Sequence, residues 1–146
     1  MPLVMLDTDV LIDFQRNYPP AIEWFQSLTE IPLVSGLVAM ELIQDTRNCN
    51  ELERSLKLIA ALNVVWPTEL ECIEAPQLFA TYHLSHRLGL IDAFIAAMAM
   101  KRDAQLCTFN IKHYRSIPDL DWHVPYAKKY LTDEHPPQET FPGTLA

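Results

Sequence analysis

Short apolar runs, several of them cut off by a polar residue and followed by a stretch with helical spacing, recur along the chain. The first is Leu3-Val4-Met5-Leu6, ended by Asp7. A short continuous run of this kind reads as a buried strand, and Asp7 marks where it empties into a helix starting near Asp9. Leu33-Val34 is a second run, Val64-Val65-Trp66 a third, residues 105–108 a fourth and residues 122–124 a fifth. Between them lie the helical stretches. Pro19-Pro20 restarts the chain, and Ile22, Trp24, Phe25 and Leu28 form an apolar helical face. Ser35 can cap a helix reaching about Thr46, which places Glu41 roughly two turns in. Leu52, Leu56, Ile59 and Leu62 keep amphipathic spacing. Thr68 and Glu71 have the spacing of a capping box for a helix to about Arg87, which Pro76 must kink or split. Asp92 opens a further helix, whose Ala93, Ala96, Ala97 and Ala99 allow close packing on a sheet, and residues 111–115 make a short one. Strands alternating with helices imply an α/β fold with a central parallel sheet of four to five strands, covered by helices on both faces.

A chain of 146 residues holds one domain with a core of its own. That domain is expected over residues 1–130, followed by a loosely held tail over 131–146 that contains Pro136, Pro137 and Pro142. Nearly half the residues are apolar (49%) and only three are glycine, which excludes a linker-rich or disordered chain. Cys49, Cys72 and Cys107 show no CxxC or Cys/His ligand spacing and read as reduced, mostly buried thiols of a cytoplasmic protein. The N-terminus has neither a basic region nor a cleavage site, so it does not read as a signal peptide. No apolar run approaches the roughly 20 residues needed to span a bilayer.

Ligands of parallel α/β sheets bind beyond the carboxyl ends of the strands. Asp7 ends the first strand and Asn110 follows the fourth, while Glu41 and Asp92 fall in early helical turns near the same edge. Four oxygen-bearing side chains from distant positions thus have one edge on which to meet. Each also has a purely structural reading. Asp7, Asp9 and Asp92 suit helix N-termini, where backbone N–H groups and the dipole favour an acid. Glu41 is harder to dismiss, because Val38, Ala39, Leu42 and Ile43 surround it, and a carboxylate among apolar groups is costly without a partner.

The segment Asp7-Thr8-Asp9-Val10-Leu11-Ile12-Asp13 resembles the opening of PIN domains, in particular the VapC-type toxins of bacterial toxin–antitoxin pairs. Ser35 followed six residues later by Glu41-Leu42 is similar to their second motif. Gly89-Leu90-Ile91-Asp92-Ala93-Phe94-Ile95-Ala96-Ala97 is similar to the third and most specific, and Thr108-Phe109-Asn110-Ile111-Lys112-His113-Tyr114 to the fourth. The similarity spans about residues 3–125, with the motifs in order.

The resemblance implies a PIN-like three-layer sandwich and an endoribonuclease that uses Mg²⁺ or Mn²⁺ to cut RNA. By that resemblance Asp7 and Asp92 are the main metal ligands, and Glu41 holds a metal or orients the attacking water. Asn110 completes the catalytic set, with Thr8, Asp9 and Thr108 in support. An antitoxin partner and a homodimer follow from the same likeness, with Trp24 and Phe25 as candidate contacts. Hard carboxylate oxygens do select Mg²⁺ or Mn²⁺. The fourth motif departs from the pattern: Asn110 and His113 stand where the family often has an acid, and Asn110 adds a carbonyl ligand but no charge. A net charge of -8, from 19 acids and 11 Lys and Arg, is unusual for a protein that binds phosphates. Three of those acids lie in the tail from Leu131, and acids that hold cations present a metal to the substrate.

Arg87, Arg102, Lys112 and Arg115 are candidate phosphate contacts. His83 and His86 read as surface residues, and Trp24, Phe25, Phe79 and Tyr82 as core or dimer surface. Two other functions fit parts of the chain. In a haloacid-dehalogenase-type phosphatase Asp7 would be the nucleophile and Asp9 the general acid, which leaves Glu41 and Asp92 without roles. In a non-catalytic binding module the acid cluster would serve as a partner surface, a reading that Asn110 supports.

Overall fold

The computed structural model describes residues 2–128. Its elements are β1 (Val4–Leu6), α1 (Thr8–Gln15), α2 (Pro19–Ser27), β2 (Leu33–Ser35), α3 (Gly36–Gln44), α4 (Cys49–Ala60), β3 (Asn63–Val65), α5 (Glu69–His86), α6 (Leu90–Lys101), β4 (Gln105–Cys107), α7 (Ile111–Tyr114) and β5 (Trp122–His123). The five strands form one parallel sheet in the order β3-β2-β1-β4-β5, flanked by the helices. The apolar run of β1 needs cover on both faces and lies at the centre, where Met5, Leu6, Val34 and Leu106 are fully buried. From β1 the chain steps outward to β2 and β3, then returns to the other side of β1 as β4 and β5. This reversal opens a crevice beyond the carboxyl ends of β1 and β4, the place where open α/β sheets bind ligands.

Most helix boundaries follow from local capping. Asp7 caps α1, Ser35 accepts the Leu37 N–H at 3.2 Å, and Thr68 with Glu71 forms the expected reciprocal box at the start of α5. Four expectations change. Asp92 does not open α6 but is its third residue; Gly89 is the cap, and its N–H donates to the Asp92 carboxylate. An acid serves the orphan donors of a first turn from inside it as well as from the cap. Pro76 does not split α5, which runs on through it. Cys72, whose carbonyl loses its bond to Pro76, lies with that proline on the exposed side of the helix. Leu56 is exposed, because α4 turns Ser55 rather than Leu56 toward α1 and α3. The Ser55 hydroxyl is buried there and accepts from Gln15 Nε2 at 2.6 Å. Of the cysteines only Cys107 is buried, since Cys49 and Cys72 fall on outward helical positions.

Trp66 lies just past β3, exposed, with its ring against Gly36, where a Cβ would come within 2.4 Å of it. The buried alanines of α6 let that helix pack along α5 and approach β4. Among the described residues no helix is long and apolar enough to cross a membrane. The expected domain end at residue 130 and the tail from 131 lie outside the described residues.

Candidate active site

Parallel pairing sets Leu6 of β1 opposite Cys107 of β4, so the next residues on each strand, Asp7 and Thr108, emerge side by side. The Asp7 N–H extends this ladder by donating to the Cys107 carbonyl at 3.0 Å. The Asp7 carboxylate is 2% exposed. Its Oδ1 accepts the Thr8 N–H at 2.8 Å and its Oδ2 the Thr108 hydroxyl at 2.7 Å. Burial pushes its pKa from 3.8 to about 6; the charge of Asp92 adds to the rise, and donation from Thr108, Thr8 and the Asn110 side chain holds it back. Asn110 is thus part of the site. It is exposed, and its backbone N–H donates to Thr108 Oγ1 at 3.0 Å.

Glu41 reaches the same edge from α3. Its Oε1 accepts the Thr8 hydroxyl at 3.3 Å. Burial raises its pKa, Thr8 opposes that rise, and the charges of Asp7 and Asp92 add to it. Asp92 arrives from the first turn of α6 and is held by three donors. Its Oδ2 accepts the Gly89 N–H and His113 Nδ1, each at 3.0 Å, and its Oδ1 accepts the Tyr114 hydroxyl at 3.0 Å. Tyr114 is 0% exposed, and burial raises its pKa well above 10, so its hydroxyl stays a donor.

Asp9 stands beside this group but is committed to the backbone. Its Oδ1 accepts the Val10 N–H at 2.8 Å and its Oδ2 the Phe109 N–H at 2.9 Å, which ties α1 to the loop after β4. Burial first, and then the charge of Asp7, push its pKa to about 8. The same loop is braced from the far end of the described chain. Lys128 pairs with Asp13 Oδ2 at 2.6 Å and lies 3.8 Å from the centre of the Phe109 ring, while Tyr126 donates to the same Asp13 oxygen at 2.7 Å.

Asp7, Glu41, Asp92, Asn110, Thr8, Thr108 and Asp9 therefore occupy one edge, linked by bonds or by charge. Arg102 does not join them. It pairs with the buried carboxylate of Glu71 and donates to the Trp66 carbonyl, which pins the end of α6 to the start of α5. His83 stacks on Phe79 and His86 contacts Tyr82, both on α5. Trp24 and Phe25 pack against the core beside Tyr126 and Phe14. Lys112 and Arg115 are exposed on and just after α7, which also carries His113 and Tyr114. The role of Tyr114 was invisible in the sequence, where a lone aromatic in a short helix reads as core.

Among the described residues no three His, Cys, Asp or Glu side chains stand close enough to hold one ion together. The donor set nevertheless suits a hard divalent cation. It consists of carboxylate oxygens. Asp92 raises the pKa of Asp7, and both raise that of Glu41, a mutual repulsion that a cation relieves.

The family model described as PIN domain matches residues 4–117. Ribonuclease VapC10 of Mycobacterium tuberculosis is 35% identical over 121 residues, covering 81% of this chain and 90% of its own. Ribonuclease VapC1 of Haemophilus influenzae is 31% identical over 128 residues, covering 82% of this chain and 96% of its own. Among solved structures, the DNA-bound VapBC from Salmonella typhimurium is similar with a TM-score of 0.71 and 26% identity, covering 84% of this chain and 98% of that one.

Proposed function

The chain belongs to the PIN-domain family, and from that premise we propose that it is a metal-dependent endoribonuclease, the toxin of a toxin–antitoxin pair. The observation that carries the reading is the meeting of Asp7, Glu41 and Asp92, from three distant segments, at the carboxyl edge of the sheet, where their like charges repel. A structural helix cap has no need of the other two. The ribonuclease names of the relatives and the VapBC neighbour support the same assignment.

In this reading Asp7 and Asp92 would be the main ligands of Mg²⁺ or Mn²⁺, Glu41 would hold a metal or orient the attacking water, and Asn110 would offer its side-chain carbonyl. A bound ion would supply Lewis acidity toward a phosphoryl oxygen and would make nearby water a better nucleophile. The protein's own groups do the rest. Thr108 and Thr8 fix the Asp7 carboxylate, so that its oxygens keep one orientation. Thr8 also aims Glu41, which sets its carboxylate to orient the attacking water. Lys112 and Arg115, exposed beside the edge, attract the phosphates of the RNA. Cognate antitoxin and a homodimer complete the proposal, and exposed Met40, Trp66, Leu70 and Ile73 supply apolar surface for such association. RNA as substrate and reduced thiols fit a cytoplasmic protein.

The phosphatase alternative leaves Glu41 and Asp92 without roles, although both act on Asp7 at the same edge. The binding-module alternative rests on Asn110, which brings no charge to the site. One assay decides. Purified protein should cleave RNA with Mg²⁺ or Mn²⁺ and stop with EDTA, and Asp7→Asn and Asp92→Asn should each lose most activity while keeping the fold. Undiminished cleavage by either variant would overturn the assignment, and a wild type inactive toward RNA under all these conditions would favour the binding module.

A further inference from the structure

An ionised carboxylate has about four acceptor positions, two on each oxygen. In Asp92 three are filled from within the protein. The Gly89 N–H and His113 Nδ1 fill those of Oδ2, and the Tyr114 hydroxyl takes one on Oδ1. We propose that Tyr114 and His113 are positioning residues for Asp92, leaving it a single open acceptor position on Oδ1 and so making it a ligand through one oxygen. This rests on the reading of Asp92 as a metal ligand.

The arrangement is more than a buried hydroxyl finding a partner. Tyr114 is among the largest fully buried side chains, and a phenylalanine would fill the same space. Its hydroxyl is spent on a carboxylate whose side chain is 18% exposed at the site edge. His113 sits next to it in sequence and closes the other oxygen from the same short helix. α7 in turn packs against α6, the helix that carries Asp92. Two neighbouring residues thus clamp both oxygens of one carboxylate, while the N–H of Gly89 anchors it to its own helix. A clamp of this kind preorganises a ligand, so less rotational freedom is lost when an ion binds.

Groups that orient metal ligands typically contribute about 10–100-fold in affinity.

The test is a titration of the full chain with Mn²⁺, free ion being read by electron paramagnetic resonance, for wild type, Tyr114→Phe, Asp92→Asn and the double variant. Tyr114→Phe should weaken Mn²⁺ binding about tenfold or more, and the double variant should bind no more weakly than Asp92→Asn alone. The metal-free Tyr114→Phe protein should keep the wild-type circular dichroism spectrum. Wild-type affinity in Tyr114→Phe, with affinity lost in Asp92→Asn, overturns the positioning role and spares the ligand. Equal weakening by Tyr114→Phe with and without Asp92 also overturns it. Affinity lost in neither single variant removes Asp92 as a ligand and this inference with it. Should Tyr114→Phe fail to fold, His113→Ala carries the test, with the same weakening expected and unchanged affinity overturning the proposal.

Discussion

The Thr108 hydroxyl donates to Asp7 Oδ2 across 2.7 Å, joining the ends of two adjacent strands between residues 101 positions apart. The same oxygen of Thr108 accepts the Asn110 N–H at 3.0 Å, so one small side chain orients the central acid and shapes the loop that follows β4. Among the groups acting on Asp7, Thr108 is the strongest of those that favour its charged form.

Thr108→Val keeps the volume and removes the hydroxyl. It leaves Asp7 Oδ2 and the Asn110 N–H short of a partner, at a cost of about 1–3 kcal/mol. Without that donor the pKa of Asp7 should rise above about 6. If cleavage needs Asp7 ionised, the rising limb of the pH–activity profile moves to higher pH. A melting curve and a pH profile superposable on those of wild type would show the bond to be idle.

Asp7 makes the metal-free protein less stable at high pH. Its folded pKa of about 6 lies above the ordinary 3.8, so folding favours its protonated form. The stability this contributes is complete below about pH 3.8 and is lost as pH rises through about 6, on the order of 3 kcal/mol in all. Asp7→Asn stays neutral throughout. Relative to wild type, the metal-free variant should therefore melt progressively higher between about pH 4 and pH 7, and Mg²⁺ should narrow the gap by stabilising the ionised wild type. A melting-temperature difference constant across that range would contradict the assignment of the strain to Asp7.

Asn110 offers a charge test at nearly constant shape. Its side-chain amide favours the charged form of Asp7, and Asn110→Asp replaces that amide with a like charge. Unit charges 4 Å apart interact by about 4 kcal/mol at an effective dielectric near 20. The variant should therefore melt below wild type without metal, yet reach half-maximal cleavage at lower Mg²⁺. Asn110→Ala should need more Mg²⁺ than wild type. Metal dependence identical in all three proteins would place Asn110 outside the ion's reach.

The sheet and its flanking helices were legible because their signals are local. Strands carry short apolar runs such as Val4-Met5-Leu6, Leu33-Val34 and Val64-Val65, and the caps Asp7, Ser35 and Thr68 act on N–H groups a few residues away. The errors arose where a local rule had more than one solution. An acid at the third helical position and an acid at the cap use the same chemistry, so Asp92 marks the start of α6 without fixing which of the two it is. Four spaced leucines and isoleucines cannot say which flank of a helix meets its neighbours, and α4 chose the side of Ser55. Arg102 read as a phosphate contact because nothing in sequence links it to Glu71, 31 residues away.

The sequence by itself determined the α/β alternation, since apolar runs and short-range caps need only neighbouring residues, and its resemblance to PIN domains singled out Asp7, Glu41, Asp92 and Asn110. Only the tertiary structure decided what those acids became. The Leu6–Cys107 register sets Thr108 beside Asp7, and the packing of α7 on α6 brings His113 and Tyr114 onto Asp92. Burial then separates the acids electrostatically, raising Asp7 to about 6 and Asp9 to about 8. Burial and long-range contact depend on how distant segments are brought together in space, and spacing along a chain does not encode that.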